Sequence, residues 1–170
     1  MADRTPPVRA FCARSGHASL PIVIGAGLRA CEILRGRCSQ ENVEVVRRGI
    51  DAFSRGDLEG ILDDLAPEFE FHPSGRFMDT QRVYRGRAGF VEFWGAFQAA
   101  WEEITVSIER MEDLDDRVLT LGAFHGRGGG SGVEVDAEAA WLHTIQDGLI
   151  VHLRSFSTWK EALEAVGLPE

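Results

Sequence analysis

Lysine is almost missing from this chain: Lys160 stands alone beside 17 arginines. Arginine has GC-rich codons, so the bias reads as a mark of genome composition rather than of guanidinium chemistry. Basic charge as a whole is scarce. Eighteen Lys and Arg face 27 Asp and Glu, a formal net charge of −9. That balance argues against general binding to nucleic acid or to an anionic membrane, where clustered cations must neutralise phosphates. Cysteine is confined to Cys12, Cys31 and Cys38. No disulfide framework can therefore support the remainder, and a reducing cytoplasm is the expected compartment. Long apolar runs are lacking as well: the best, Leu20–Leu28, is far too short to span a bilayer.

What is present fits one soluble globular domain. The 170 residues suffice for a proper core, and 44% hydrophobic with 26% charged residues rules out a disordered or fibrous composition. Charge divides the chain unevenly. Residues 1–38 hold six arginines against Asp3 and Glu32, a formal +4, so residues 39–170 carry −13. Leu20–Leu28, following Arg4, Arg9 and Arg14, resembles a short signal-peptide core. Leu28-Arg29-Ala30-Cys31 approaches a lipoprotein cleavage box, yet Arg29 occupies a place that needs a small or apolar residue. The segment 1–38 is rich in Pro, Gly and Arg and has no sustained periodicity. It is expected to be either a disordered extension or the product of a start assigned too far upstream.

From Ser39 the pattern becomes regular. Ser39 is expected to cap a helix running to about Arg55, with Val43, Val46, Ile50 and Phe53 on one stripe. Gly56 supplies a left-handed stop. Asp57 caps a second helix carrying Leu58, Ile61, Leu62 and Leu65, with Pro67 as its end. Glu68–His72 alternates as a strand, placing Phe69 and Phe71 on one face and Glu70 and His72 on the other. Val83-Tyr84-Arg85 is a candidate short strand. A third helix over Arg87–Trp101 bears Phe90, Phe93, Trp94, Phe97 and Trp101 at helical spacing, a stripe that reads first as core. Four strands follow, Ile104–Met111, Val118–Gly126, Val133–Ile145 and Leu149–Ser157, with turns at Asp115-Asp116 and Gln146-Asp147-Gly148. Thr158 and Glu161 form a capping box for a last helix ending at Gly167. The order is α+β, with a curved antiparallel sheet wrapped around helices.

Several stretches carry a resemblance: Glu41-Asn42-Val43-Glu44-Val45-Val46-Arg47-Arg48, Phe53-Ser54-Arg55-Gly56-Asp57, Tyr84-Arg85-Gly86, and Asp147-Gly148 followed by a strand and Glu161-Ala162-Leu163. In that order and spacing, residues 39–168 resemble the SnoaL-like branch of the nuclear-transport-factor-2-like (NTF2-like) superfamily. The resemblance implies a cone in which a bent sheet and helices close around an apolar cavity. It implies as partners a small hydrophobic molecule and, through the outer face of the sheet, a second copy as homodimer. Members include ketosteroid isomerases, polyketide cyclases, epoxide hydrolases and dehydratases, so fold alone does not decide activity.

The candidate site residues follow from that comparison. The steroid-isomerase pattern puts a base carboxylate before a proline at the end of the first strand. Here the slot reads Phe71-His72-Pro73, which makes His72 the candidate general base. The tyrosine of that pattern falls on Gly49 and its second acid near Trp141, so no stabilisation of an enolate is evident. Trp94, Trp101, Trp141, His143 and Ser155 are the expected pocket residues. An epoxide-hydrolase relay would need Arg154 together with Asp136 or Glu138, a set that reads equally as a surface ion pair. His72, His125, His143 and His152 lack tight spacing, so neither a metal site nor a cofactor is inferred. Gly128-Gly129-Gly130 lacks the strand–loop–helix context of a phosphate loop. Two functions stay open: a pocket protein with proton-transfer chemistry on a hydrophobic ligand, and a non-catalytic ligand-binding or dimerisation module.

Overall fold

The computed structural model describes residues 27–76 and 82–169, and for residues 27–38 only the course of the helix. Expectations on residues 1–26 lie outside the described residues.

Helix α1 spans Gly27–Ser54, beginning well ahead of Ser39. Ser39 therefore does not cap it. Apart from Gly27 and Gly36, the preceding residues are largely good helix formers and carry the helix upstream. The Ser39 hydroxyl donates instead to the Asp113 carboxylate, and Asn42 Nδ2 donates to the Asp115 carbonyl at 2.8 Å. Both bonds tie α1 to a β-turn. Gly56, at φ 69°, makes the expected left-handed stop. Asp57 then caps α2 (Leu58–Asp63) by accepting from the Gly60 N–H at 2.9 Å.

Strand β1 (Leu65–His72) starts before Pro67, so the proline lies in the strand rather than ending the helix. The β1 pairing shifts register between Leu65 and Glu70, which spares Pro67 from supplying a ladder N–H. Strand β2 (Tyr84–Arg85) pairs back on β1. Helix α3 (Gly86–Ala100) ends where Trp101 adopts φ −125°, ψ 134° and opens β3 (Trp101–Leu114). Strands β4 (Arg117–Gly128), β5 (Glu134–Gln146) and β6 (Leu149–Phe156) follow, then α4 (Trp159–Val166). Asp147 and Gly148, at φ 52° and 77°, form the tight turn between β5 and β6. Thr158 caps α4 by accepting from Glu161 N–H, while the Glu161 carboxylate accepts from Ser157 N–H, one residue earlier than in a standard box.

The six strands form one curved, unclosed sheet in the order β2-β1-β6-β5-β4-β3. Neighbours are antiparallel except β1 and β6, which run parallel. The sheet is thus mixed rather than antiparallel throughout. Everything between β1 and β6 acts as the long crossover that a parallel pair requires. Helices α1 and α3 pack on the inner face around Val46, Phe69, Phe90, Phe93 and Phe97. Helix α4 covers part of the outer face, where Ala162 and Leu163 meet Leu119, Leu121, Ala140 and Phe156. Gly122 marks a close approach of β4 to β3. A Cβ there would lie 1.9 Å from the Ser107 carbonyl oxygen, beside the register shift between Ile108 and Arg110.

Candidate functional site

Strand alternation gives the sheet two chemically different faces. On the inner face, Thr120 of β4 sits opposite Trp141 of β5, which sits opposite Ser155 of β6. His143 lies between Val118 and Leu153 in the same way. With Phe71, the α1 residues Val46, Gly49, Ile50 and Phe53, and the α3 residues Phe90, Phe93 and Phe97, they line an apolar cavity of about 140 Å³. Trp141, His143 and Ser155, three of the residues singled out in the sequence, are in this lining.

The polar groups of this lining are few and mostly engaged. Thr120 Oγ1 donates to the Trp141 carbonyl at 3.2 Å. Ser155 Oγ accepts from the Ser74 N–H at 2.8 Å and reaches back to the His72 carbonyl at 3.5 Å. His143 differs. It is 7% exposed, and its Nδ1 lies 3.3 Å from the Val118 carbonyl oxygen. A carbonyl only accepts, so Nδ1 carries the proton. Burial pushes the imidazole down to about 4 against the partial opposition of that hydrogen bond. At neutral pH the ring is uncharged, and Nε2 is a bare lone pair.

Trp94 and Trp101 do not line the cavity. Trp94, one position on from Phe93 and so rotated about a hundred degrees around α3, packs edge-on against Phe53 with centroids 5.2 Å apart. Trp101 belongs to β3, where the helical phase no longer applies, and sits edge-on to Phe124 at 5.0 Å. Its buried indole N–H has no hydrogen-bond partner among the described residues.

His72 also lies outside the cavity. The alternation that turns Phe71 inward turns His72 outward, into an open polar cleft shared with His152, Arg154 and Glu161. A base there reaches a molecule in the outer cleft, not one in the apolar cavity. His72 Nε2 is 3.3 Å from Glu70 Oε2, and its ring centroid is 4.6 Å from that of His152. Arg85 Nε donates to Glu70 Oε1 at 2.8 Å. That bond, helped by His72, holds the Glu70 carboxyl below its ordinary range, while burial and then the neighbouring His72 lower His152. The two openings share Pro73, Ser74 and Ser155 as a common wall.

The other positions weighed for catalysis are also located. Gly49 and Trp141 both line the cavity, so the slots for tyrosine and acid face it without the functional groups of the steroid-isomerase pattern. Arg154 lies over the Phe156 ring at 4.8 Å, Asp136 is 3.1 Å from His125 Nδ1, and Glu138 accepts from the Trp159 N–H at 3.5 Å. Those three are not brought together around the cavity. Sequence reasoning missed the association of Glu70 and His72 with His152. Their one visible signal was the shared parity of Glu70 and His72, since the parallel pairing that adds His152 is contributed from far along the chain.

Residues 46–153 match the family model described as a SnoaL-like domain. An uncharacterised protein of Mycobacterium tuberculosis is 29% identical over 126 residues, covering 73% of this chain and 94% of its own. Among solved structures, an NTF2-like protein of unknown function from Burkholderia pseudomallei superposes with a TM-score of 0.64 at 19% identity, covering 73% of this chain and 95% of that one. A SnoaL-like polyketide cyclase assignment from Jannaschia sp. CCS1 gives 0.62 at 20% identity, over 77% and 94%. At these identities the structures speak for the fold, which is NTF2-like. The family model, matching well over half of the sequence, speaks for descent: this chain belongs to the SnoaL-like family.

Proposed function

We propose that this chain binds a small hydrophobic molecule in its inner cavity and orients it through His143. The carrying observation is a neutral, buried imidazole in an otherwise apolar lining, with Nδ1 committed to Val118 and Nε2 left as acceptor. Such pockets obtain affinity from apolar contact and orientation from a few placed polar groups. A cavity of about 150 Å³ in another protein takes up benzene, so about 140 Å³ here suits a ligand built on a single ring. An acceptor nitrogen selects a ring bearing a hydroxyl rather than one bearing only a methyl. An imidazole held near 4 is a weak base at neutral pH, which favours binding over proton abstraction as the role of this residue.

Titration calorimetry with phenols and their toluene counterparts tests the reading. Phenols are expected to bind the native protein more tightly than the methyl analogues, and His143→Leu is expected to remove that preference, roughly tenfold. Equal affinity of phenols and toluenes for the native protein, or a preference that survives His143→Leu, would overturn it. Turnover assays on cyclic ketones and epoxides with His72→Ala beside the native protein address the proton-transfer reading. Activity that depends on His72 would assign chemistry to the outer cleft.

A further inference from the structure

We propose that Glu70, His72 and His152 form a binding site for one divalent transition-metal ion, with zinc as the natural match, on the outer face of the sheet. The argument starts from the parallel pairing of β1 and β6. It sets Glu70 beside His152 in register, while His72, two residues along β1, returns to the same face. The result is one ligand atom from each residue, all within 4.8 Å of one another. One edge of that triangle, His72 Nε2 to Glu70 Oε2, is already 3.3 Å. Ligands about 2.0–2.2 Å from a zinc ion are separated by distances of this order, so small side-chain rotations close the set.

The chemistry of the donors selects the ion. Two imidazoles and one carboxylate suit zinc, cobalt or nickel, and two-histidine, one-carboxylate sets leave further coordination positions free. Magnesium and calcium, which prefer oxygen ligands, are poorly served. Arg85 is an orienting partner: it holds Glu70 Oε1 at 2.8 Å and leaves Oε2 for the metal, as outer hydrogen bonds commonly fix ligating carboxylates. Arg154 stands in register with His72 and carries its guanidinium over Phe156, while its charge still acts on His152. His72 and Glu70 side chains are each 37% exposed, so an ion can enter without opening the core. His72 and His152 both border the cleft that also holds Ser157 and Glu161. The site is separate from the apolar cavity, and its test is independent of the ligand proposed there.

The test uses the full chain without a histidine tag, stripped with chelator and titrated with Zn²⁺ and Co²⁺ by calorimetry and visible absorption. One equivalent is expected to bind, with a cobalt spectrum of nitrogen and oxygen ligation and no thiolate charge-transfer band, and with no competition from excess Mg²⁺. His152→Ala and His72→Ala should each weaken binding at least about tenfold. His125→Ala, at a different surface histidine, should leave it unchanged. Circular dichroism melts confirm that the variants fold. Absence of a stoichiometric site overturns the proposal. So does binding that survives both histidine substitutions or carries the thiolate signature of Cys12, Cys31 or Cys38.

Discussion

His143 and His72 stand on the same sheet and could hardly be more different. His143, on the inner face of β5, is sealed among apolar side chains, bonded to one carbonyl and kept uncharged. His72, on the outer face of β1, is half exposed, beside a carboxylate and a second imidazole. Neither difference lies in the residue; both follow from strand parity. A period of two assigns neighbouring positions to opposite solvents, and the chemistry open to an imidazole follows. The inner face favours recognition of an uncharged molecule, and the outer face favours a cation.

The contrast is sharpest one residue apart on β1. Phe69 is fully buried, whereas Glu70 faces out. Phe69→Ala is expected to cost about 3–5 kcal/mol, because deleting a buried ring leaves a cavity that the neighbours only partly refill. Glu70→Ala should leave the metal-free melting midpoint within experimental error. Similar losses in the two variants, measured by urea unfolding, would break the two-face description.

The next effect concerns protons. The His143 imidazole titrates at about 4 when folded against about 6.5 when unfolded. As pH falls, the unfolded chain is protonated first. The stabilisation is therefore full above about 6.5 and is lost progressively down to about 4, amounting to about 3 kcal/mol. His143→Phe should remove that share of the acid sensitivity. Unfolding curves of both proteins across this window measure the difference, and parallel pH profiles would mean that the ring is hydrated. A smaller effect probes the same face. Thr120→Val, which deletes the bond to the Trp141 carbonyl, should cost about 1 kcal/mol. A change indistinguishable from zero would show that this buried hydroxyl contributes no more than its shape.

Much of this was legible in the sequence, and the parts that were not have physical causes. The alternation over Glu68–His72 already placed His72 opposite the phenylalanines, so its exclusion from the cavity was present in the pattern. Alignment with the slot of a catalytic acid drew attention to the position, whereas parity decided the face. Trp141, His143 and Ser155 share a face because one hairpin, with its turn at Asp147-Gly148, fixes their register. Trp94 and Trp101 misled because helical spacing identifies a stripe without saying which edge of it borders empty space. The parallel β1–β6 pair could not be read at all, since no turn sets its register and its two strands are joined through five other elements, β2, α3, β3, β4 and β5. The outer site depends entirely on that pair.

Strand β4 carries a further consequence. Val118, Leu119, Thr120 and Leu121 are all 0% exposed, because the inner core covers one side of the strand and α4 the other. With β3 and β5 on its flanks, its amides exchange with solvent only through the largest openings of the molecule. In native-state hydrogen exchange these amides should be the last to label, while those of the two-residue edge strand β2 are among the first. The protein would then open from its β2 edge inward, with the cavity wall around Thr120 the last part of the sheet to meet solvent.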